Sequence, residues 1–192
     1  VNNAVLLLVL LNFAYIGLLP VIFFKRGGEL NAMWWVTAAP FLLCTVFLLA
    51  ALAGHVPTFV ARGTPLSHAL TLVSTLVSAA SIALISFTLG SHRIPIALWH
   101  QTDDAPRHIV TWGAYQHIRH PFYASFLLAF AAAFLLCPQW GTLATLICGF
   151  TVLNATAARE ERRLSNSEFG EEYGRYMKRT GRFLPKWGRQ QA

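Results

Sequence analysis

Long apolar runs separated by short polar breaks dominate the chain. Ala4–Phe24 is the first run and closes at Lys25-Arg26-Gly27-Gly28; Met33–Ala53 is the second and closes at Gly54-His55; Leu66–Leu89 is the third. After a polar interval come Pro121–Cys137 and Trp140–Ala158, separated only by Pro138-Gln139. A helix needs about 20 apolar residues to cross a bilayer. The pattern therefore predicts an all-α, multi-pass membrane bundle of five transmembrane helices with a cytoplasmic C-terminal helix, all in a single domain. The third run is rich in Ser and Thr, which can hydrogen-bond to other helices or back onto their own. The two-residue link makes the fourth and fifth helices an antiparallel hairpin.

The polar intervals refine this picture. Residues 91–119 hold four of the seven histidines, Asp103-Asp104, Pro95, Pro106, Trp99 and Trp112. They predict an interfacial loop with its Trp rings at headgroup depth and room for a short helix. Beyond the fifth run, helix is expected to continue through Arg159–Leu164 and to break at Ser165-Asn166-Ser167. Ser165 with Glu168 fits a capping box. Phe169, Tyr173, Tyr176 and Met177 then share one helical face, and Gly181 and Pro185 end the element. Such a helix suits two roles, an amphipathic helix lying on the bilayer or a lid over a site.

Composition narrows the class. The chain is 55% hydrophobic and 12% charged, against about 25% charged in an ordinary soluble domain. The net charge of +7 is uneven, with nine of the fifteen Lys and Arg after residue 158. Nucleic-acid binding could explain a basic chain, but not one this apolar. With five spans and an outside N-terminus, Lys25, Arg26, Arg93, Arg107, Arg119 and the basic tail fall inside, and Arg62 alone falls outside. That asymmetry predicts a cytoplasmic C-terminus. The first run lacks a basic leader and exceeds the roughly 7–15 residues of a signal-peptide core, so a retained span is expected. Cys44, Cys137 and Cys148 sit in or beside apolar runs and read as buried small hydrophobes. No His, Cys and carboxylate set has metal-ligand spacing. No G-x-G or G-x-S-x-G occurs, which leaves nucleotide loops and nucleophile elbows unsupported.

The hairpin concentrates candidate chemistry at one end. Arg119-His120-Pro121 opens the fourth helix, and Glu160-Glu161 closes the fifth. Antiparallel packing places the two pairs face to face at the cytoplasmic surface. Pro121 suits a first helical turn, with His120 at the cap. The N–H groups there favour an anion, and Arg119 adds to that preference. Acids near a helix C-terminus need a compensating cation. An anion-attracting rim beside a cation-attracting rim fits a zwitterion such as the amino-acid moiety of S-adenosylmethionine. Tyr115 and Tyr123 would add hydroxyls or aromatic faces for the sulfonium. A simpler reading stands beside it, in which Arg119 and the glutamates only pair with one another.

These residues also carry a resemblance. "IVTWGAYQHIRHPFYAS" (109–125) resembles the first signature of the isoprenylcysteine carboxyl methyltransferase family, which is related in pattern to the phospholipid N-methyltransferases. "EERRLSNSEFGEEYGRYMKRTGRFLP" (160–185) resembles its second: paired Glu, F-G-x-E-Y-x-x-Y, then R-x-x-P. The resemblance covers residues 91–186. It implies a multi-pass enzyme that uses S-adenosylmethionine, releases S-adenosylhomocysteine, and methylates a lipophilic acceptor arriving from the bilayer. It implies that His120, Pro121 and Tyr123 hold the cofactor, that Gly113 and Tyr115 line its pocket, and that Glu160 and Glu161 belong to the same site. Arg119 or Arg159 would orient an acceptor carboxylate, with Glu161 among the catalytic candidates. The gap from the Glu pair to Phe169-Gly170 is one residue longer than the common pattern. Either both glutamates match, or Glu161 alone keeps its place.

Two other classes share features. Sterol-reductase-like membrane enzymes carry a similar R-H-P-x-Y element and would bind NADPH, although the Glu pair suits a cationic cofactor better than a polyphosphate. A non-catalytic lipid-binding protein would tolerate loss of His120 or Glu161.

Overall fold

The computed structural model describes residues 3–18, 28–30, 32–91 and 109–186, with the backbone alone at 33–37. Within these lie six α-helices: α1 (Asn3–Leu18), α2 (Ala32–Leu52), α3 (Pro65–Ser91), α4 (Pro121–Leu136), α5 (Trp140–Ser165) and α6 (Gly170–Arg179). A 3-10 turn occupies Gly113–Gln116. No strand occurs among the described residues, so the all-α expectation holds. The second through fifth helices begin within a residue of the expected apolar runs. His92, His100, His108, Trp99, Asp103 and Asp104 lie outside the described residues, as do Lys25, Arg26, Arg93 and Arg107 from the cation asymmetry.

Among the described residues two helices, α3 and α5, are long and apolar enough to cross a membrane; the apolar stretches Asn3–Ile16, Ala38–Leu52 and Pro121–Leu136 are shorter. Helix α5 has 26 residues. At 1.5 Å per residue it is about 39 Å long, against roughly 30 Å for a hydrocarbon core. Its charged turns, containing Arg159–Arg163, lie at the C-terminal end.

Helix α3 is patterned inside out. The buried face of α3 is Ser74, Ser78, Ser81, Ile85, Thr88 and Ser91, while Leu66, Leu72, Leu76 and Phe87 are exposed. Small residues let helix backbones approach, which is how helices pack in lipid where burial of apolar surface gives no advantage. Helix α4 answers with Ala124, Ala129, Ala132 and Ala133, all buried, and makes its most extensive packing against α3. Ser74 donates to the Ala132 carbonyl at 2.7 Å and Ser81 to the Ser125 carbonyl at 2.8 Å. Thr71, Thr75 and Thr88 bond back onto their own helix. Both expected uses of the hydroxyls are therefore present.

The α4–α5 hairpin is antiparallel as its link requires. Gln139 caps α5 and is buried, and its side-chain amide donates to the Phe47 carbonyl at 3.0 Å. At Gly149 a Cβ would fall 2.8 Å from the Phe130 ring, so glycine admits that ring between the two helices. Two expectations are corrected. Cys148 is exposed rather than buried, on the outward face of α5, while Cys44 and Cys137 are buried. No Ser165–Glu168 capping box forms, because α5 itself runs to Ser165 and α6 starts after Phe169, with no side-chain cap. Ser167 instead bonds the Leu164 carbonyl and accepts the Phe169 N–H within the turn.

Candidate functional site

His120 is the N-cap of α4 and Pro121 its first residue. Proline fits there because the missing N–H has no helical partner to lose. The preceding segment is anchored to α3. Gly113 has φ +62°, and a Cβ on it would lie 2.0 Å from the Ser91 hydroxyl oxygen. That hydroxyl accepts the Ala114 N–H at 3.2 Å, and the Trp112 indole donates to the Ser91 carbonyl at 2.8 Å. Gly113 thus has a backbone reason to be glycine, and the resulting turn delivers Arg119 and His120 to the end of the hairpin.

There they meet the glutamates. Arg119 Nε donates to Glu161 Oε1 at 2.9 Å. His120 Nε2 lies 3.3 Å from Glu161 Oε1, and its Nδ1 lies 3.4 Å from Glu160 Oε2. The Tyr123 hydroxyl donates to Glu160 Oε1 at 2.6 Å. The imidazole also stacks parallel to the Tyr123 ring, with centroids 5.4 Å apart.

A third segment completes the cluster. After α6 the chain turns back and pairs beside residues 118–120 as an isolated parallel bridge between Ile118 and Gly181. The Arg119 N–H donates to the Gly181 carbonyl at 2.8 Å and the His120 N–H to the Arg182 carbonyl at 3.0 Å. Arg182 then forks onto both Glu161 oxygens and reaches Asn154 Oδ1 at 2.7 Å. Arg119 Nη1 donates to the Thr180 and Met177 carbonyls. Helix α6 buries Tyr173 and Tyr176 in the protein, and the Tyr176 hydroxyl donates to the Tyr115 carbonyl at 2.6 Å. The two tyrosines of its apolar face are therefore docked on the protein, with Phe169 and Met177 half-buried beside them.

The two glutamates differ. The Glu161 side chain is 10% exposed and faces Arg119, His120 and Arg182. Burial alone would push its carboxyl up, but His120, Arg182 and Arg119 hold it far below the usual carboxylate range. The Glu160 side chain is 27% exposed and meets His120 and Tyr123. Burial pushes His120 down, yet its hydrogen bonds to both glutamates outweigh this and raise it above 6.5. Tyr115, Tyr173 and Tyr176 are pushed up by burial and stay neutral phenols.

The expected face-to-face arrangement of Arg119-His120 and Glu160-Glu161 is thus present, but two separate rims are not. Cations and anions interleave. The simple pairing reading describes Glu161, whose capacity is consumed by the protein. Glu160 keeps an accessible carboxylate. Arg159 stands outside the network; it is exposed, with a 3.4 Å contact to the Thr156 hydroxyl of its own helix. Arg182, Asn154 and Thr180 were not anticipated. The terminal R-x-x-P motif marks Arg182, but chain order alone does not show that residues 181–182 run beside 118–120. Among the described residues no group of His, Cys, Asp or Glu is placed to hold a metal ion.

Comparison with known proteins supports the motif reading. Residues 92–166 match the model of the isoprenylcysteine carboxyl methyltransferase (ICMT) family. No curated protein and no solved structure matches the chain. The matched segment contains Arg119, His120, Glu160 and Glu161, whereas Arg182 and α6 lie beyond it.

Proposed function

From the ICMT family pattern carried by residues 92–166, we propose that the chain is a five-span membrane methyltransferase. It uses S-adenosylmethionine to methylate a small lipophilic acceptor, in the first instance the carboxylate of an isoprenylcysteine-like or other lipid acid. The observation that carries the reading is the accessible Glu160 carboxylate beside the stacked His120–Tyr123 pair, inside the family-matched segment. These groups fit the cofactor: the Glu160 carboxylate for its ammonium or sulfonium and the Tyr123 ring for the same cation. S-adenosylmethionine, when bound, supplies a methyl group activated by a sulfonium leaving group.

The protein's own residues do the positioning. Glu161 holds Arg119, His120 and Arg182 in register, so that the α4 cap, the α5 end and the C-terminal strap form one rigid wall. That wall orients Glu160 and the His120 ring. Alignment of this kind can contribute about 7–11 kcal/mol in favourable cases. Arg119 is committed to Glu161 and two carbonyls, which leaves exposed Arg159 as the guanidinium for an acceptor carboxylate. A carboxylate acceptor attacks as the anion and needs no general base.

Calorimetric titration with S-adenosylhomocysteine tests the cofactor. Binding to the folded chain, weakened tenfold or more by Glu160→Gln, is expected; folded protein that does not bind it refutes the proposal. Incubation with methyl-labelled cofactor and a host lipid extract, followed by identification of the labelled product, then names the acceptor.

A further inference from the structure

At the other end of the bundle a groove of about 570 Å³ opens between α1, the α2–α3 loop, α3 and the end of α4. Its size falls within the roughly 300–1,000 Å³ range of ligand pockets. It is separate from the site above. Helix α4 has 16 residues, about 24 Å at 1.5 Å each, and runs from His120 to the groove wall at Leu136.

The groove combines polar and apolar lining, as an amphiphile requires: Arg62, Ser67 and His68 on one hand, Val5, Leu135 and Leu136 on the other. Along α3 it runs from Ser67 to Thr75, eight residues or about 12 Å. One leaflet of hydrocarbon is about 15 Å deep, so the groove matches the upper part of a single acyl chain with its head at the membrane surface. The Thr71 and Thr75 hydroxyls are spent on their own helix, which makes that wall apolar in effect.

Charge selects the occupant. Residues 30–102 contain no Asp or Glu, so a bound ammonium headgroup would find no carboxylate from this part of the chain. Arg62 is fixed at the groove by an Nη2 donation to the Ala51 carbonyl in the last turn of α2. A guanidinium has five N–H donors, so one such bond does not exhaust it. The N-terminus of α3 is not the attraction. Its Ser67 N–H is taken by the Thr64 hydroxyl at 3.2 Å, and the His68 N–H by the Thr64 carbonyl at 3.1 Å.

The geometry points to a binding site for an anionic phospholipid in this groove, its phosphodiester on Arg62 and an acyl chain along α3. The lipid is a bound component of the bundle and is not a methyl acceptor, because its head lies a full helix length from Glu160.

Native mass spectrometry and thermal unfolding of the purified chain in neutral detergent test this, with phosphatidylglycerol, phosphatidylcholine, glycerol phosphate or inorganic phosphate added. Phosphatidylglycerol should bind at least fivefold more tightly than phosphatidylcholine, the factor one cation contributes beside anionic lipid, and should raise the melting temperature. Glycerol phosphate and inorganic phosphate should do neither. Arg62→Gln should abolish the preference and Arg62→Lys should retain it, which separates charge from the lost Ala51 contact. Thr71→Phe, which fills the groove and keeps Arg62, should remove binding even if Arg62→Gln does not fold. Equal affinity for the two lipids, a preference that survives Arg62→Gln, lipid binding unaffected by Thr71→Phe, or stabilisation by phosphate alone overturns the proposal.

Discussion

Replacing each glutamate of the pair by glutamine separates architecture from ligand recognition. Glu161→Gln keeps the shape and removes the charge that three cationic groups share. Breaking a buried ion pair by removing one partner costs about 3–5 kcal/mol, because the other charge is left uncompensated. Arg119 retains the Thr180 and Met177 carbonyls, and Arg182 retains Asn154. The loss therefore belongs near the lower end, about 3 kcal/mol. Glu160→Gln leaves Glu161 to hold His120, and its side chain is 27% exposed. It gives up charge-assisted hydrogen bonds worth about 1.5–3 kcal/mol each when fully formed, and solvent reduces that to about 1 kcal/mol. Thermal unfolding and S-adenosylhomocysteine titration on the same detergent preparations provide the readouts. Glu161→Gln should show the larger drop in melting temperature. Glu160→Gln should melt close to the parent and lose affinity. If the two variants melt alike, or if Glu161→Gln melts like the parent, the division of roles assigned here is wrong.

Other outcomes follow from the same geometry. His120 has its folded-state pKa raised above the unfolded value of 6.5, so its contribution is complete below about 6.5 and is lost as pH rises through the folded value. The melting temperature should decline on that alkaline side, and His120→Gln should flatten the decline. Glu161, held below its ordinary 4.5, contributes fully above that value and loses its contribution only in stronger acid, so it adds no slope near neutrality. Gly181→Ala would place a Cβ 1.7 Å from the Leu184 carbonyl oxygen; the strap must shift, at about 1–3 kcal/mol, and cofactor affinity should fall with stability. Gly174→Ala meets nothing within 4 Å inside α6 and should instead raise the melting temperature, by up to about 1 kcal/mol in helix propensity. Ser81→Ala removes the bond to the Ser125 carbonyl and should cost about 0.6 kcal/mol and no more than roughly 1.7, the range for hydrogen bonds between membrane helices, as read by denaturant unfolding in mixed micelles.

Much of this protein is written along the chain. Apolar run length specifies the helices, as it would for segments in lipid, where backbone groups have no partner but their own helix. The two residues Pro138-Gln139 allow only an antiparallel return. Those local rules suffice to bring Arg119-His120 opposite Glu160-Glu161, and the motifs around them carry the resemblance that the family match supports. Tertiary structure decided what those charges do. Arg182 comes from beyond the hairpin and reaches Glu161 only because α6 docks through Tyr173 and Tyr176 and the chain turns back beside Ile118. Adjacent glutamates on α5 are alike in sequence; a helix points them about 100° apart, and what each then meets depends on the neighbouring elements. Glu161 meets three cationic groups while Glu160 stays half open. Such pairings depend on long-range packing, which a local pattern does not encode.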